Sequence, residues 1–141
     1  MTRRDAFGRI FAGMRADLQA YRELRELLEQ QFHAALEHRS ADIQDIGERI
    51  TALAGVIEQR RRERVELVTM LTPRNARACI ASIAERLQGP SRAAFDACWR
   101  ALESAVRECK ALNLRNCRLI MDQHEIMQRV LKAESDTYAP A

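Results

Sequence analysis

The 141-residue sequence has few of the residues that interrupt helices: three prolines and five glycines. Aromatic residues make up only 5% of the chain, and charged residues make up 30%. The remainder is dominated by Ala, Leu, Glu, Gln and Arg, which favour helices, and this profile is typical of long helices or coiled coils. The composition therefore predicts an all-α fold.

Several function classes are disfavoured by what is missing. No stretch approaches the eighteen apolar residues of a membrane span, and the first residues lack the order of a signal peptide, so we expect a cytoplasmic protein. The net charge is only +3, with Arg interleaved with Glu and Asp, which does not indicate nucleic-acid binding. The four cysteines have neither CxxC spacing nor a nearby His pattern, so we expect apolar core residues rather than disulfides or a zinc site.

Catalytic motifs are also missing. The sequence has no glycine-rich phosphate loop, no HExxH and no Gly-flanked Ser, and we predict a protein that is not an enzyme and needs no cofactor or metal. His124, between Asp122 and Glu125, leaves open a helical phosphotransfer module. A histidine among surface charges is the commoner case, because catalysis also needs a base and an orienting group.

Breaks in the apolar pattern divide the chain into four helices within one domain, residues 1–141. The predicted segments are residues 5–38, 41–71, 73–88 and 91–134, followed by a frayed tail over 135–141. The break at His38-Arg39-Ser40 is so short that the first two helices must form an antiparallel hairpin. Thr72-Pro73 and Gly89-Pro90 end the second and third helices. We thus expect an elongated hairpin, a short helix and a long C-terminal helix.

The first helix has a heptad stripe that starts at Phe7 and Phe11, with a polar intrusion at Arg25. Additional leucines widen this stripe into a face that can touch more than one neighbour. In the second helix, the arginine cluster over residues 60–64 is read as a hydrated surface whose side-chain stems cover apolar area, because Glu58, Glu63 and Glu66 lie among the arginines. Nucleic-acid binding is the less favoured alternative, because no aromatic residues accompany the arginines, and docking of an acidic partner lies between these two interpretations.

The last helix has two amides, Asn113 and Asn116, on an otherwise apolar stripe. A buried amide without a partner costs about 1 to 3 kcal/mol, so each must bond to something. Spacing alone leaves two alternatives open. The amides fix the register of a bundle seam, or they contact a partner on an open face.

The same segment resembles the C-terminal signature of the FlgN-type flagellar export chaperones. The resemblance covers roughly residues 18–131, and the arrangement of a Trp followed by Asn-x-x-Asn carries it. The matching positions are Phe95, Trp99, Leu102, Glu108-Cys109, Leu112-Asn113, Asn116 and Leu119-Ile120.

The resemblance implies a cytoplasmic chaperone without enzymatic activity that serves flagellar type III export. Such proteins hold the C-terminal helices of the hook-filament junction proteins and deliver them to the export apparatus. The long C-terminal helix would then bind cargo. For the two asparagines, this favours contact with a partner over a role in the register of a bundle. The expected contact residues are Leu112, Asn113, Asn116, Leu119, Ile120, Met127, Val130 and Leu131. The alternative is a self-associating coiled-coil protein with a structural or regulatory role, and a homodimer is left open.

Overall fold

The computed structural model describes residues 1–74 and 76–138, with side chains described to residue 136. This part of the chain contains four helices and no strand, which confirms the all-α fold. The helices are α1 (Arg3–Leu36), α2 (Ser40–Leu71), α3 (Ile80–Ala84) and α4 (Gly89–Tyr138).

The helix bounds differ from the expected ones mainly after α2. The helix expected over residues 73–88 is confined to the five residues of α3, within a stretch whose Asn75 lies outside the described residues. The tail expected to fray from residue 135 continues as helix to Tyr138, and residues 139–141 lie outside the described part. The first helix begins earlier than predicted because Thr2 caps it through a capping box with Asp5.

The hairpin between α1 and α2 is antiparallel, and its connection is three residues long. His38 in this connection has a φ of 54°, in the left-handed region that allows a sharp reversal of the chain. α4 instead runs parallel to α1. The Phe11 and Phe95 rings stack near the start of both helices, with centroids 6.3 Å apart, and Gln123 reaches the Ala35 carbonyl near the end of α1.

α1 is the central helix of the arrangement, because it packs against both α2 and α4. Within the described residues, α2 and α4 have no close backbone approach to each other. The wide apolar face predicted for the first helix thus serves two neighbours. The short α3 packs against the end of α2 and the beginning of α4 and closes one end of the molecule.

The apolar core is divided into two clusters along the rod. The larger one lies at the end where α1 and α4 begin, and its buried residues are Ala6, Ile10, Met14, Val68, Leu71, Ile83, Ala84, Phe95 and Leu102. The smaller one lies near the hairpin turn and consists of Leu27, Ala34 and Ile46, with Ile43, Ile50 and Leu53 against them. The smaller cluster contains no α4 residue, so the second half of α4 must be held on α1 by other contacts. None of the helices described is long and apolar enough to cross a membrane.

Candidate partner-binding surfaces

Polar side chains hold the second half of α4 on α1. Three α4 side chains at seven-residue intervals donate hydrogen bonds to three α1 backbone carbonyls that are also seven residues apart. The pairs are Cys109 Sγ with Tyr21 O (3.6 Å), Asn116 Nδ2 with Leu28 O (2.7 Å) and Gln123 Nε2 with Ala35 O (2.9 Å). A heptad spacing on both helices is the geometry of parallel coiled-coil packing. We refer to these three bonds as the α1–α4 ladder.

Asn116 is the most enclosed member of the α1–α4 ladder, with a relative exposure of 0%. Its amide nitrogen also donates to Gln31 Oε1 at 2.9 Å, and its Oδ1 accepts two hydrogen bonds from the Arg115 guanidinium at 3.1 Å. The donors and the acceptor of this amide therefore all have hydrogen-bond partners inside the protein. For Asn116 the structure favours the bundle-register alternative and corrects the expectation that this side chain lies on an open face.

Arg115 strengthens the same contact between α1 and α4. Its guanidinium carbon lies 3.7 Å from the centroid of the Phe32 ring, close enough for a cation–π interaction. The same guanidinium forms an ion pair with Glu29 at 3.1 Å. Arg115 thus contacts an aromatic ring, a carboxylate and an amide at once. These contacts help to hold α4 against the second half of α1.

The other predicted site residues divide into two groups along α4. Leu112, Leu119 and Ile120 are half-buried beside α1. Asn113, Met127, Val130 and Leu131 are exposed. The amide oxygen of Asn113 is approached by Cys117 Sγ at 3.9 Å, a weak contact that leaves the amide accessible. The first predicted residues along α4 therefore border the contact with α1, and the last ones face solvent.

The open end arises because α4 is longer than the helix that supports it. α1 ends at Leu36, next to the ladder bond from Gln123, and α4 continues to Tyr138. We call residues 124–138 the α4 extension. Up to residue 136, where its side chains are described, its large apolar side chains are more than half exposed: Ile126, Met127, Val130 and Leu131. These residues continue the α1-facing side of α4 past the point where α1 stops.

A second surface was not predicted from the sequence. Because α2 and α4 are held apart by α1, a groove of about 570 Å³ lies between them, and we call it the α2–α4 groove. Tyr21 of α1 contributes to its lining, where burial, together with the nearby Asp17 carboxylate, raises the pKa of its hydroxyl. Its apolar lining includes Ile57, Val65, Val68, Ile80, Trp99, Leu102 and Val106. Charged side chains at its border are Glu58, Arg61, Arg64, Glu103 and Arg107.

The arginine cluster of α2 is split between the interior and the surface. Arg60 and Arg64 donate to the two carboxylate oxygens of Asp17 at 3.1 and 2.7 Å, and Asp17 has a relative exposure of 0%. The expectation of a uniformly hydrated cluster is therefore wrong for these two arginines. Arg60 and Arg64 continue the heptad spacing of Ile50, Leu53 and Ile57 along α2, so the sequence indicated that both face a neighbouring helix.

The exposed arginines of the cluster form ion pairs with an acid on the same helix, α2. Arg61 and Arg62 both bond to the Glu58 carboxylate, at 2.8 and 3.3 Å. The hydrogen bond from Arg61 is the main reason why the pKa of Glu58 falls to about 2. These three residues thus pair with each other on one face of α2 and keep a net charge of +1.

The cysteines and histidines do not form a chemical site in the described part of the chain. Cys109 is buried, which raises the pKa of its thiol, whereas Cys79 and Cys98 are half-buried and Cys117 is exposed. The core interpretation therefore holds fully only for Cys109. Within the described residues, no three His, Cys, Asp or Glu side chains are placed to bind a metal ion. His124 is exposed and contacts Gln128 at 3.4 Å.

Comparison with known proteins gives one result that covers nearly the whole chain. The family model described as FlgN protein matches residues 1–136. The match includes the hairpin, the α2–α4 groove and most of the α4 extension. No curated protein and no solved structure matches the chain significantly.

Proposed function

The chain belongs to the FlgN family, whose general role is that of a flagellar export chaperone, and from this premise we propose which surface binds cargo. The proposed cargo is the C-terminal helical segment of a hook-filament junction protein. The proposed site is the α4 stripe that begins beside α1 at Leu112 and continues onto the α4 extension. The chaperone would act in the cytoplasm and deliver its cargo to the type III export apparatus.

One observation carries this proposal: the apolar stripe on the α1-facing side of α4 continues beyond the last residue of α1. Up to Gln123 the stripe is covered by α1, and beyond it Ile126, Met127 and Val130 have no helix against them in the described structure. A cargo helix that continues the line of α1 would cover this stripe with the same heptad packing. The extension would bury its apolar side chains against cargo as the preceding turns bury theirs against α1.

The chemistry of the stripe suits a cargo helix that normally packs in a filament. Apolar surface on such a helix must be covered before assembly, because exposed apolar patches associate non-specifically. Met127 can adapt its shape to different apolar partners, and so can the exposed Met121 on another face of the same helix. Asn113, whose amide is accessible, would donate or accept the polar contact that sets the register of cargo on α4. Asn116 supports the site indirectly, because it holds α4 on α1.

The proposal is tested by titrating a labelled C-terminal peptide of a junction protein with the full chain and with Met127→Glu. A carboxylate at the centre of the apolar stripe must lose its hydration when cargo binds, so we expect the Kd to rise by at least about tenfold, or about 1.4 kcal/mol. A chain ending at Gln123 keeps the whole α1–α4 ladder and should bind cargo as weakly as Met127→Glu or more weakly.

Val56→Glu is the matched control, because Val56 is an apolar α2 residue with 46% exposure and lies in neither candidate surface. We expect it to bind cargo like the unmodified chain. Equal cargo affinity of Met127→Glu, the chain ending at Gln123 and the unmodified protein would overturn the proposal. Loss of affinity in Val56→Glu as well would show that the effect is not specific to α4.

A further inference from the structure

We propose that the α2–α4 groove binds an acidic amphipathic helix of a protein other than the cargo, so that the chaperone holds this partner and its cargo at the same time. The inference concerns a surface separate from the proposed cargo site. It rests on the proposed function only where it states that cargo binds elsewhere on the chain.

The groove is the vacant position of a four-helix arrangement. α1 packs against both α2 and α4, which have no close backbone approach to each other in the described part of the chain. The axes of packed helices lie about 8 to 10 Å apart, so three helices in a triangle would all touch. The three long helices therefore form a corner, with Val68 and Leu102 of the larger core cluster at its floor. A fourth helix between α2 and α4 would complete a bundle.

The walls of the groove determine the backbone conformation of its occupant. They consist mainly of side chains on α2 and α4, whose backbone N–H and C=O groups are bonded within each helix. An extended segment would lose water from its own backbone groups without finding partners, whereas a helix satisfies them internally. Along α2 the lining runs from Ile57 to Thr69, about 18 Å, which suits a helix of about three turns.

Apolar side chains of the groove lack cover on its open side. Val65 of α2 has an exposed fraction of 50%, and Ile57, Trp99 and Val106 are half-buried. These residues follow each other along α2 and α4 at the spacing that places side chains on one helix face. An amphipathic helix that lays its apolar stripe between such faces is a recurrent mode of protein recognition.

The charge of the groove favours an acidic helix. The five arginines and three acids that line the groove or pair with a lining residue have a net charge of +2. Arg107 at the border forms no ion pair or hydrogen bond within the described residues. Arg64 has one acceptor, Asp17, which it shares with Arg60. Acids beside the apolar stripe of an incoming helix would therefore meet unbalanced positive charge.

The groove and the cargo site are far enough apart to be occupied together. The α4 extension begins seventeen residues after Arg107, roughly 25 Å farther along α4. Its apolar stripe continues the α1-facing side of α4, whereas Trp99 and Val106 face the groove. A partner helix in the groove thus leaves the extension free for cargo.

The test uses the full chain and two synthetic peptides of about twelve residues, each with leucines along one helical stripe. One peptide has glutamates beside the stripe and the other has lysines, and a side-chain cross-link keeps both helical because short helices are marginal in water. Neither contains tryptophan, so the emission comes from Trp99, the single tryptophan of the chain. The acidic peptide should shift this emission to shorter wavelength and bind more tightly than the basic peptide.

Substitutions in the groove should change binding according to their chemistry. Val65→Glu should raise the Kd of the acidic peptide at least about tenfold, because it places a charge in the apolar wall. Arg107→Glu should raise that Kd about threefold, as exposed ion pairs are weak, and should lower the Kd of the basic peptide. Val56→Glu and Arg49→Glu are the matched controls, since both residues are exposed on α2 and do not line the groove. Both controls should bind like the unmodified chain.

Cargo binding separates this inference from the proposed function. Val65→Glu should bind the labelled cargo peptide like the unmodified chain, and Met127→Glu should bind the acidic peptide normally but cargo weakly. Displacement of the acidic peptide by cargo would assign the groove to cargo and overturn the inference. Equal Kd values for the acidic and basic peptides, or an acidic-peptide Kd unchanged by Val65→Glu, would also overturn it. So would a Trp99 emission that shifts with chain concentration alone, because a second copy would then cover the groove.

Discussion

The Asp17 carboxylate lies 2.7 Å from the Arg64 guanidinium across the α1–α2 interface, and no part of Asp17 is exposed to solvent. A second arginine, Arg60, meets the other carboxylate oxygen at 3.1 Å. One buried acid therefore pairs with two arginines whose side chains remain partly exposed, and the three residues keep a net charge of +1. Burial of a charge costs several kcal/mol unless it is paired in this way, so the three residues must be considered together.

Asp17→Ala should lower the free energy of unfolding by about 3 kcal/mol, because it leaves two guanidinium groups facing an apolar interface without a counter-charge. Urea denaturation followed by circular dichroism measures the change. Asp45→Ala is the matched control, since Asp45 is an exposed acid on α2, and it should change the free energy of unfolding by less than about 0.5 kcal/mol. Equal unfolding midpoints for Asp17→Ala and Asp45→Ala would contradict the assignment.

The two asparagines of α4 should respond differently to the same substitution. Asn116→Ala removes a buried amide with four hydrogen bonds and should lower the free energy of unfolding by about 1 to 3 kcal/mol. Asn113→Ala should have an effect below about 0.5 kcal/mol, because Asn113 is exposed. The same urea experiment compares them. Greater destabilisation by Asn113→Ala would reverse the roles given to the two residues.

Glu58 should make stability depend on pH in acid. Its pKa is about 2 in the folded protein against a reference value of 4.5, because Arg61 bonds to its ionised form. A depressed folded pKa stabilises the folded state above the reference value, and this contribution is lost as the pH falls toward 2. The unmodified chain should therefore melt at higher temperature than Glu58→Gln at pH 7, and the difference should shrink between about pH 4.5 and 2. A difference that stays constant down to pH 2 would show that the carboxylate does not titrate in this way.

Much of the architecture could be predicted from local signals. The chain break around His38 and the proline after Thr72 are visible in the sequence, and the predicted hairpin depends on them. The broad apolar face of the first helix also indicated two neighbours, which are α2 and α4. These features depend on residues close together in the chain, so periodicity and capping rules are enough to find them.

The parts that were not predicted depend on how distant segments align. The pairing of Asp17 with Arg64 spans 47 residues, and the bond between Asn116 and Leu28 spans 88. The spacing within one helix does not indicate which of its faces contacts which neighbour. It therefore could not decide whether Asn116 contacts another helix of the bundle or a partner. The α2–α4 groove was missed for the same reason, because it exists only where two helices are kept apart by a third. In the predicted third helix, only Ile80–Ala84 is helical, and its Ile83 and Ala84 are buried in the larger core cluster.

The α1–α4 ladder also determines where α4 begins to extend beyond α1. Its three bonds recur every seven residues, so α4 can be aligned with α1 only in whole heptads if side-chain donors are to meet carbonyls. A shift by one heptad would move about 10 Å of helix on or off its support. The ladder thereby sets the position at which α4 leaves α1, and fifteen residues of α4, roughly 22 Å, are described beyond that position. Three hydrogen bonds between α1 and α4 thus determine where the exposed part of α4 begins.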